Sequence, residues 1–249
     1  QIIHSEAFMP LFEHKTDRRT FCRGVAAAVA GTYLASSLAS AEDDKFQLNY
    51  ILASCMYGTT PLAEILPEVQ KVGADSIDIW PLRHGNQREQ MDEIGHDAFA
   101  EQLASRNLTL GMLTRYDLGP WKLQEELPVA KRFSTKIIIC GSGGPKGLSE
   151  SELKNAVGEF VEKLKPQMDA AAEAGVTIGI ENHANALIDS PDSIRYFAEL
   201  APEGNVGIAL APYHLPQDPQ LLAGLIRYLD RKLAHFYAWE HGMGCMTKL

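Results

Sequence analysis

Val176–Thr177–Ile178–Gly179–Ile180–Glu181–Asn182–His183 is a short apolar run that ends abruptly in a carboxylate, an amide and an imidazole. Its β-branched residues read as a buried strand, and the polar triplet stands where that strand runs out. The same grammar recurs on both sides of it. Upstream, Phe46–Leu52, Ser76–Trp80, Leu108–Leu113 and Lys136–Cys140 read as strands one to four, and downstream Val206–Leu210 and Ala234–Trp239 read as strands six and seven.

Amphipathic stretches lie between them: Pro61–Val72, Gln90–Arg106, Trp121–Phe133, Glu150–Ala174, Ser193–Leu200 and Pro219–Leu229 read as helices. Alternation at roughly 30 residues per strand–helix unit predicts an α/β fold of the TIM (β/α)8 type, with its site at the strand C-termini. Seven units are visible where a closed barrel takes about eight, so the chain is expected to be C-terminally incomplete. An open doubly wound sheet is the rival architecture. It is disfavoured because no G-x-G-x-x-G follows the first strand, and for the same reason no nucleotide cofactor is expected. Gly141–Ser142–Gly143–Gly144 follows strand four and reads either as a phosphate cradle or as a plain loop.

The chain has 249 residues, 45% of them apolar and 22% charged, with a formal charge of −9. That is enough apolar mass for one large domain. Residues 1–41 hold four Lys/Arg and three Asp/Glu, so without them the charge is near −10. An acidic surface of this kind repels phosphate backbones, and nucleic acid is not an expected partner. Cys22, Cys55, Cys140 and Cys245 lie too far apart for a metal knuckle.

Asp17–Arg18–Arg19–Thr20–Phe21–Cys22–Arg23 precedes a small, apolar segment from Gly24 to Leu38 and then Ala39–Ser40–Ala41. The order charged, apolar, A-x-A predicts a cleavable signal of the twin-arginine type over residues 1–41, with cleavage after Ala41. The barrel would then occupy 42–249, in the periplasmic or cell-envelope space. The alanine-rich segment is too short and too weakly apolar for a stable membrane span.

The polar residues at strand exits are the candidate site. They are Asp78, His84, Arg115, Glu181, Asn182, His183, His214, Tyr237, Trp239, Glu240 and His241. In a barrel they converge on one mouth. A carboxylate beside imidazoles suits divalent metal binding or proton transfer next to a sugar carbonyl. Glu181, His183 and His214 are the candidate catalytic residues. Asp78, His84, Tyr237, Trp239 and His241 are the candidate substrate contacts, with Trp239 as an apolar platform for a sugar ring. Each also has a plainer reading: Asp78 could cap a loop, His84 could sit in a solvated turn, and Trp239 could pack the rim.

On these residues the chain resembles the xylose isomerase-like TIM-barrel superfamily, the group of sugar phosphate isomerases and epimerases, ketose 3-epimerases and endonuclease IV. The resemblance spans residues 46–249. It rests on Ile178–His183 at strand five, His214 at the strand-six exit, His235 at strand seven, and Asp78–Trp80 with His84–Gly85 at strand two. It is also similar to the exported twin-arginine versions of that group. The resemblance implies a divalent metal held by a Glu on strand five, an Asp three residues before a His on strand six, a His on strand seven and a Glu on strand eight. Glu181 and His214 match two of these, whereas the Asp position holds Ala211. The His-x-His pattern of strand seven reads His235–Phe236–Tyr237, and the strand-eight Glu would lie beyond Leu249.

The expectation is therefore a carbohydrate-active enzyme, an isomerase or epimerase acting on a small sugar or sugar phosphate, with a divalent metal weakened by the two changed ligands. The alternatives are elimination or hydration of a 3-keto-glycoside, and a non-catalytic sugar-binding barrel with a decayed metal site.

Overall fold

The computed structural model describes residues 48–238. The predicted leader, the first residues of predicted strand one, and Trp239, Glu240 and His241 lie outside the described residues. Seven parallel strands form one curled sheet in chain order: β1 Ile51–Ala53, β2 Ser76–Ile79, β3 Thr109–Thr114, β4 Ile137–Gly141, β5 Thr177–Glu181, β6 Val206–Leu210 and β7 Leu233–Phe236. Among the described residues this is a TIM barrel one strand short, of the α/β class.

Helices α1 Leu62–Lys71, α2 Gln87–Ile94, α3 His96–Ala104, α4 Leu127–Phe133, α5 Glu150–Ala174, α6 Pro191–Leu200 and α7 Pro219–Leu229 connect the strands. Helix α5 starts in a capping box, where Ser149 N donates to Glu152 Oε2 at 2.9 Å, and it stops at Gly175 with φ 66°. The predicted helix over Gln90–Arg106 is instead the end of α2 followed by α3, interrupted at Gly95. That glycine takes φ 89° and ψ 142°, a conformation outside any helix and open to glycine alone. Of the predicted helix Trp121–Phe133, residues Leu123–Glu125 form a 3-10 turn and only Leu127–Phe133 is α-helical, with Pro128 in its first turn.

Period-two alternation sorts each strand into two faces. Ile77, Ile79, Ile138, Cys140, Ile178, Ile180, Ile208 and Leu210 point outward into the large core shared with the helices. Met112, Ile139, Ala209 and Ala211 point inward and pack with Trp80 and Tyr237 in the barrel interior. The interior is uneven, because β5 and β6 contribute the paired glycines Gly179 and Gly207 where other strands contribute bulk.

A methyl group on Gly207 would lie 2.5 Å from the Lys232 carbonyl oxygen, whereas one on Gly179 would meet the terminal carbon of Ile139. Backbone cannot yield but a rotamer can. Gly207→Ala should therefore cost about 1–3 kcal/mol in urea unfolding, and Gly179→Ala distinctly less. Equal losses at both positions would show that β6 and β7 are not held against each other as described.

Candidate functional site

At the C-terminal ends of the strands lies a cavity of about 380 Å³, a size suited to a small ligand. Two walls face each other across it.

One wall is acid and imidazole. Glu181 closes β5 with its side chain on the inward face, and it is 1% exposed. The chain then turns through His183, whose N–H donates to Ile188 O at 2.9 Å. The loop is pinned from the next strand exit, where Leu187 N donates to Gly143 O at 2.7 Å and Ile188 N to Ser142 Oγ at 3.1 Å. The glycine run after β4 therefore braces this loop through Gly143 and Ser142. On β6, Ala211 leads into a 3-10 turn, Pro212–His214, that Gln217 ties down through Pro212 O at 2.6 Å and Leu215 O at 2.8 Å. This turn brings the His214 ring to 4.0 Å from the His183 ring, centroid to centroid, and its Nε2 to 3.7 Å from Glu181 Oε1. Glu181 Oε2 has no hydrogen-bond partner among the described residues.

The other wall is aromatic. Trp80 follows β2, with Tyr116 at 5.3 Å and the exposed His84 at 5.8 Å from its ring, both edge-on. Trp80 N donates to the buried Ser54 Oγ at 3.0 Å, which fastens the ends of β1 and β2. Tyr57, Arg83 and Tyr213 complete the lining with Cys55 and Gly58. Tyr116 lines the cavity, and its buried hydroxyl has no hydrogen-bond partner among the described residues.

Beneath this floor lies a second layer. Asp78 is fully buried, and its Oδ2 accepts from Trp80 Nε1 at 2.5 Å and Thr114 Oγ1 at 2.8 Å. Burial pushes its carboxyl up to about 7 against the hydrogen bonds from Thr114 and Trp80, which lower it. Burial first, and the Asp78 charge second, push Glu181 up to about 8. Tyr237 is also buried here, and its phenol is raised well above the ordinary value by burial and by Glu181 and Asp78. His235 on β7 is half-buried and packs edge-on to Tyr237 at 4.6 Å, and burial lowers its imidazole to about 4.

Of the residues the sequence singles out, the structure brings Glu181, His183, His214 and His84 together on the cavity. Asp78 and Tyr237 sit under it and do not line it. Asn182 is a latch: its amide donates to Ala211 O at 3.0 Å and accepts from Ala211 N at 2.7 Å, joining the ends of β5 and β6. Arg115 pairs with Glu126 and Asp117, away from the cavity. Sequence reasoning missed Tyr57, Trp80, Tyr116 and Tyr213 as cavity walls. Trp80 carried a usable signal, since it lies two residues beyond Asp78 on the same inward parity.

A divalent ion asks for more donors than this. Ala211 presents only a methyl group, and Glu181 with His214 makes two. Among the described residues no group of three His, Cys, Asp or Glu is placed to hold a metal. The described residues thus do not fit a complete metal site. No helix among them is long and apolar enough to cross a membrane.

No curated protein matches the chain in sequence. Solved structures do match in fold. A probable 3-DHS dehydratase from Bacillus anthracis is 17% identical, with a TM-score of 0.59 over 76% of this chain and 72% of that one. A 3-keto-D-glucoside 4-epimerase from E. coli is 15% identical, with a TM-score of 0.56 over 76% and 78%. A xylose isomerase-like TIM barrel protein from Mycobacterium smegmatis, in complex with magnesium, is 15% identical, with a TM-score of 0.52 over 72% of each chain. The family model described as xylose isomerase-like TIM barrel matches residues 66–240, well over half of the sequence. With its parallel barrel and its cavity at the strand C-termini, the chain belongs to the xylose isomerase-like TIM barrel family.

Proposed function

We propose that the protein is a carbohydrate-active enzyme that moves a proton next to a sugar carbonyl, as a sugar isomerase or epimerase does. The observation that carries this is Glu181: a buried carboxyl at the cavity floor, one oxygen unpartnered and the other 3.7 Å from an imidazole. Burial raises its basicity towards the neutral range, where a general base works best. Once ionised, Glu181 takes the proton α to the carbonyl. His214, beside it, and His183, stacked on His214, carry protons to and from the substrate oxygens. Trp80 and Tyr116 pack against the apolar face of the ring. The acts named for the similar structures, epimerisation of a 3-keto-D-glucoside and dehydration, both fit removal of an α-proton.

No step is routed through a metal, because the described donor set is incomplete. Elimination or hydration of a 3-keto-glycoside is the second reading, favoured by the same base with an imidazole in reach of a leaving oxygen. A sugar-binding barrel without catalysis is the third, favoured by the methyl group at Ala211.

Incubation with keto sugars and 3-keto-glycosides in D2O, followed by NMR, separates the three. Deuterium at the α-carbon without loss of water supports isomerase or epimerase chemistry, and an unsaturated product supports the lyase. Binding with no exchange would sink both enzymatic readings.

The location we propose is outside the cytoplasm, supported by Arg18–Arg19 and Ala39–Ser40–Ala41. Changing Arg18 and Arg19 together to Lys should retain the full-length chain in the cytoplasm. Unchanged fractionation would remove the export reading.

A further inference from the structure

Among the described residues the cavity has one guanidinium on its lining, and its setting says what it is for. Arg83 is exposed, lines the cavity, and makes no ion pair or hydrogen bond to any described residue. Arg88 and Arg115 are in the opposite condition, each paired with two carboxylates. The segment that carries Arg83 is braced rather than loose. Leu82 N donates to Glu89 Oε1 at 3.2 Å, and Gly85 N to Pro81 O at 3.3 Å. Gln87, fully buried, donates to Gly58 O at 2.9 Å and Thr60 O at 3.0 Å, tying the segment to the loop after β1.

Glu181 is the sole acidic side chain among the described lining residues, and it is sunk in the floor, 1% exposed. Among the described lining residues the mouth therefore presents a placed guanidinium and no exposed carboxylate, in a chain whose overall charge of −9 repels anions elsewhere. A guanidinium fork left open at a ligand cavity matches the oxygens of a carboxylate or phosphate.

We propose that the substrate is an anionic carbohydrate, a sugar acid or a sugar phosphate, whose charged group is anchored by Arg83 at the mouth while its carbonyl end reaches Glu181. This deepens the proton-transfer reading and rests on it for the orientation of the ligand, but its test is binding rather than turnover.

Calorimetric titration of the full chain with D-fructose, D-fructose 6-phosphate, D-fructuronate and inorganic phosphate separates the sources of the anion. At least one of the two anionic sugars should bind on the order of 10- to 100-fold more tightly than D-fructose, with the preference shrinking as salt is raised. Arg83→Gln should abolish that preference, and Arg83→Lys should keep part of it. A preference for D-fructose 6-phosphate alone assigns the sugar phosphate, and one for D-fructuronate alone the sugar acid.

Equal affinity for D-fructose and both anionic sugars overturns the anchor while leaving the sugar-enzyme reading intact. A preference that survives in Arg83→Gln overturns the assignment to this residue. Binding of inorganic phosphate with no sugar bound overturns the proposal together with the sugar reading, as does binding of nothing.

Discussion

Glu181→Gln is expected to lower the rate of α-proton exchange by about 10²–10⁴-fold and, at pH 8, to raise the melting temperature. The two effects come from one cause. In the folded chain burial, and then the neighbouring Asp78, hold the Glu181 carboxyl at about 8. Burial holds Asp78 at about 7. In the unfolded chain both revert to ordinary values near 4. Folding thus favours the protonated forms, so the stability they contribute is fully present below about pH 4 and is lost as pH rises through 7 to 8.

The ionised base that catalysis needs is for that reason a strained one. The amide of Gln keeps the shape, carries no charge to desolvate and cannot accept the proton. Exchange in the parent protein should climb with pH towards a plateau above about 8, a profile belonging to the Asp78–Glu181 pair rather than to either residue. Melting curves from pH 5 to 9 should fall less steeply for Glu181→Gln than for the parent. An exchange rate unaffected by the substitution would remove Glu181 as the base, and parallel melting curves would remove the account of its burial.

Glu126→Ala is expected to be the most damaging single change to stability, at about 3–5 kcal/mol and so on the order of 10 °C in melting temperature. Glu126 is 2% exposed and stands between two arginines. Arg88 donates to it through Nε at 2.7 Å and Nη2 at 3.1 Å, and Arg115 through Nη1. Asp92 and Asp117 take remaining donors of Arg88 and Arg115 respectively. Deleting the central carboxylate leaves two buried guanidinium groups with no anion between them, each keeping only its more exposed outer partner, Asp92 or Asp117. The control is Glu68→Ala, which breaks an exposed pair with Lys71 and should cost no more than about 0.5 kcal/mol. A loss below about 1 kcal/mol for Glu126→Ala would show that water replaces the carboxylate there.

How much of this was legible beforehand depended on what each residue had to do. The buried strands and α5 stood out because each obeys one rule along its whole length: a short apolar run for the strands, and a capped amphipathic period for the helix. The stretch around Gly95 misled because apolar positions continue across it at helical spacing, from Met91 and Ile94 to Phe99 and Leu103, and nothing in that spacing reports a backbone break.

Within the site, Glu181, His183, His214 and His84 were readable as polar groups following apolar runs. Asp78 and Tyr237 share that signature yet sit a layer deeper, since parity reveals the face of a strand but not the height along the barrel. The aromatic wall was the hardest part. Trp80 and Tyr116 look like core residues in sequence, and half of what they do is indeed packing.

The Arg88–Glu126–Arg115 cluster also bears on motion. It clamps α2, the segment leaving β3 and the entry to α4 at one point, directly behind the stretches that present Arg83, His84 and Tyr116. With Ser54 fastening Trp80 as well, the aromatic side of the cavity behaves as an anvil. The histidine side is held differently, by hydrogen bonds to backbone: Gly143 and Ser142 pin the His183 loop, Gln217 ties the His214 turn, and the Asn182 amide latches the two strand ends together. A ligand that enters is therefore expected to meet one wall whose backbone is fixed by buried charge, the stiffer of the two.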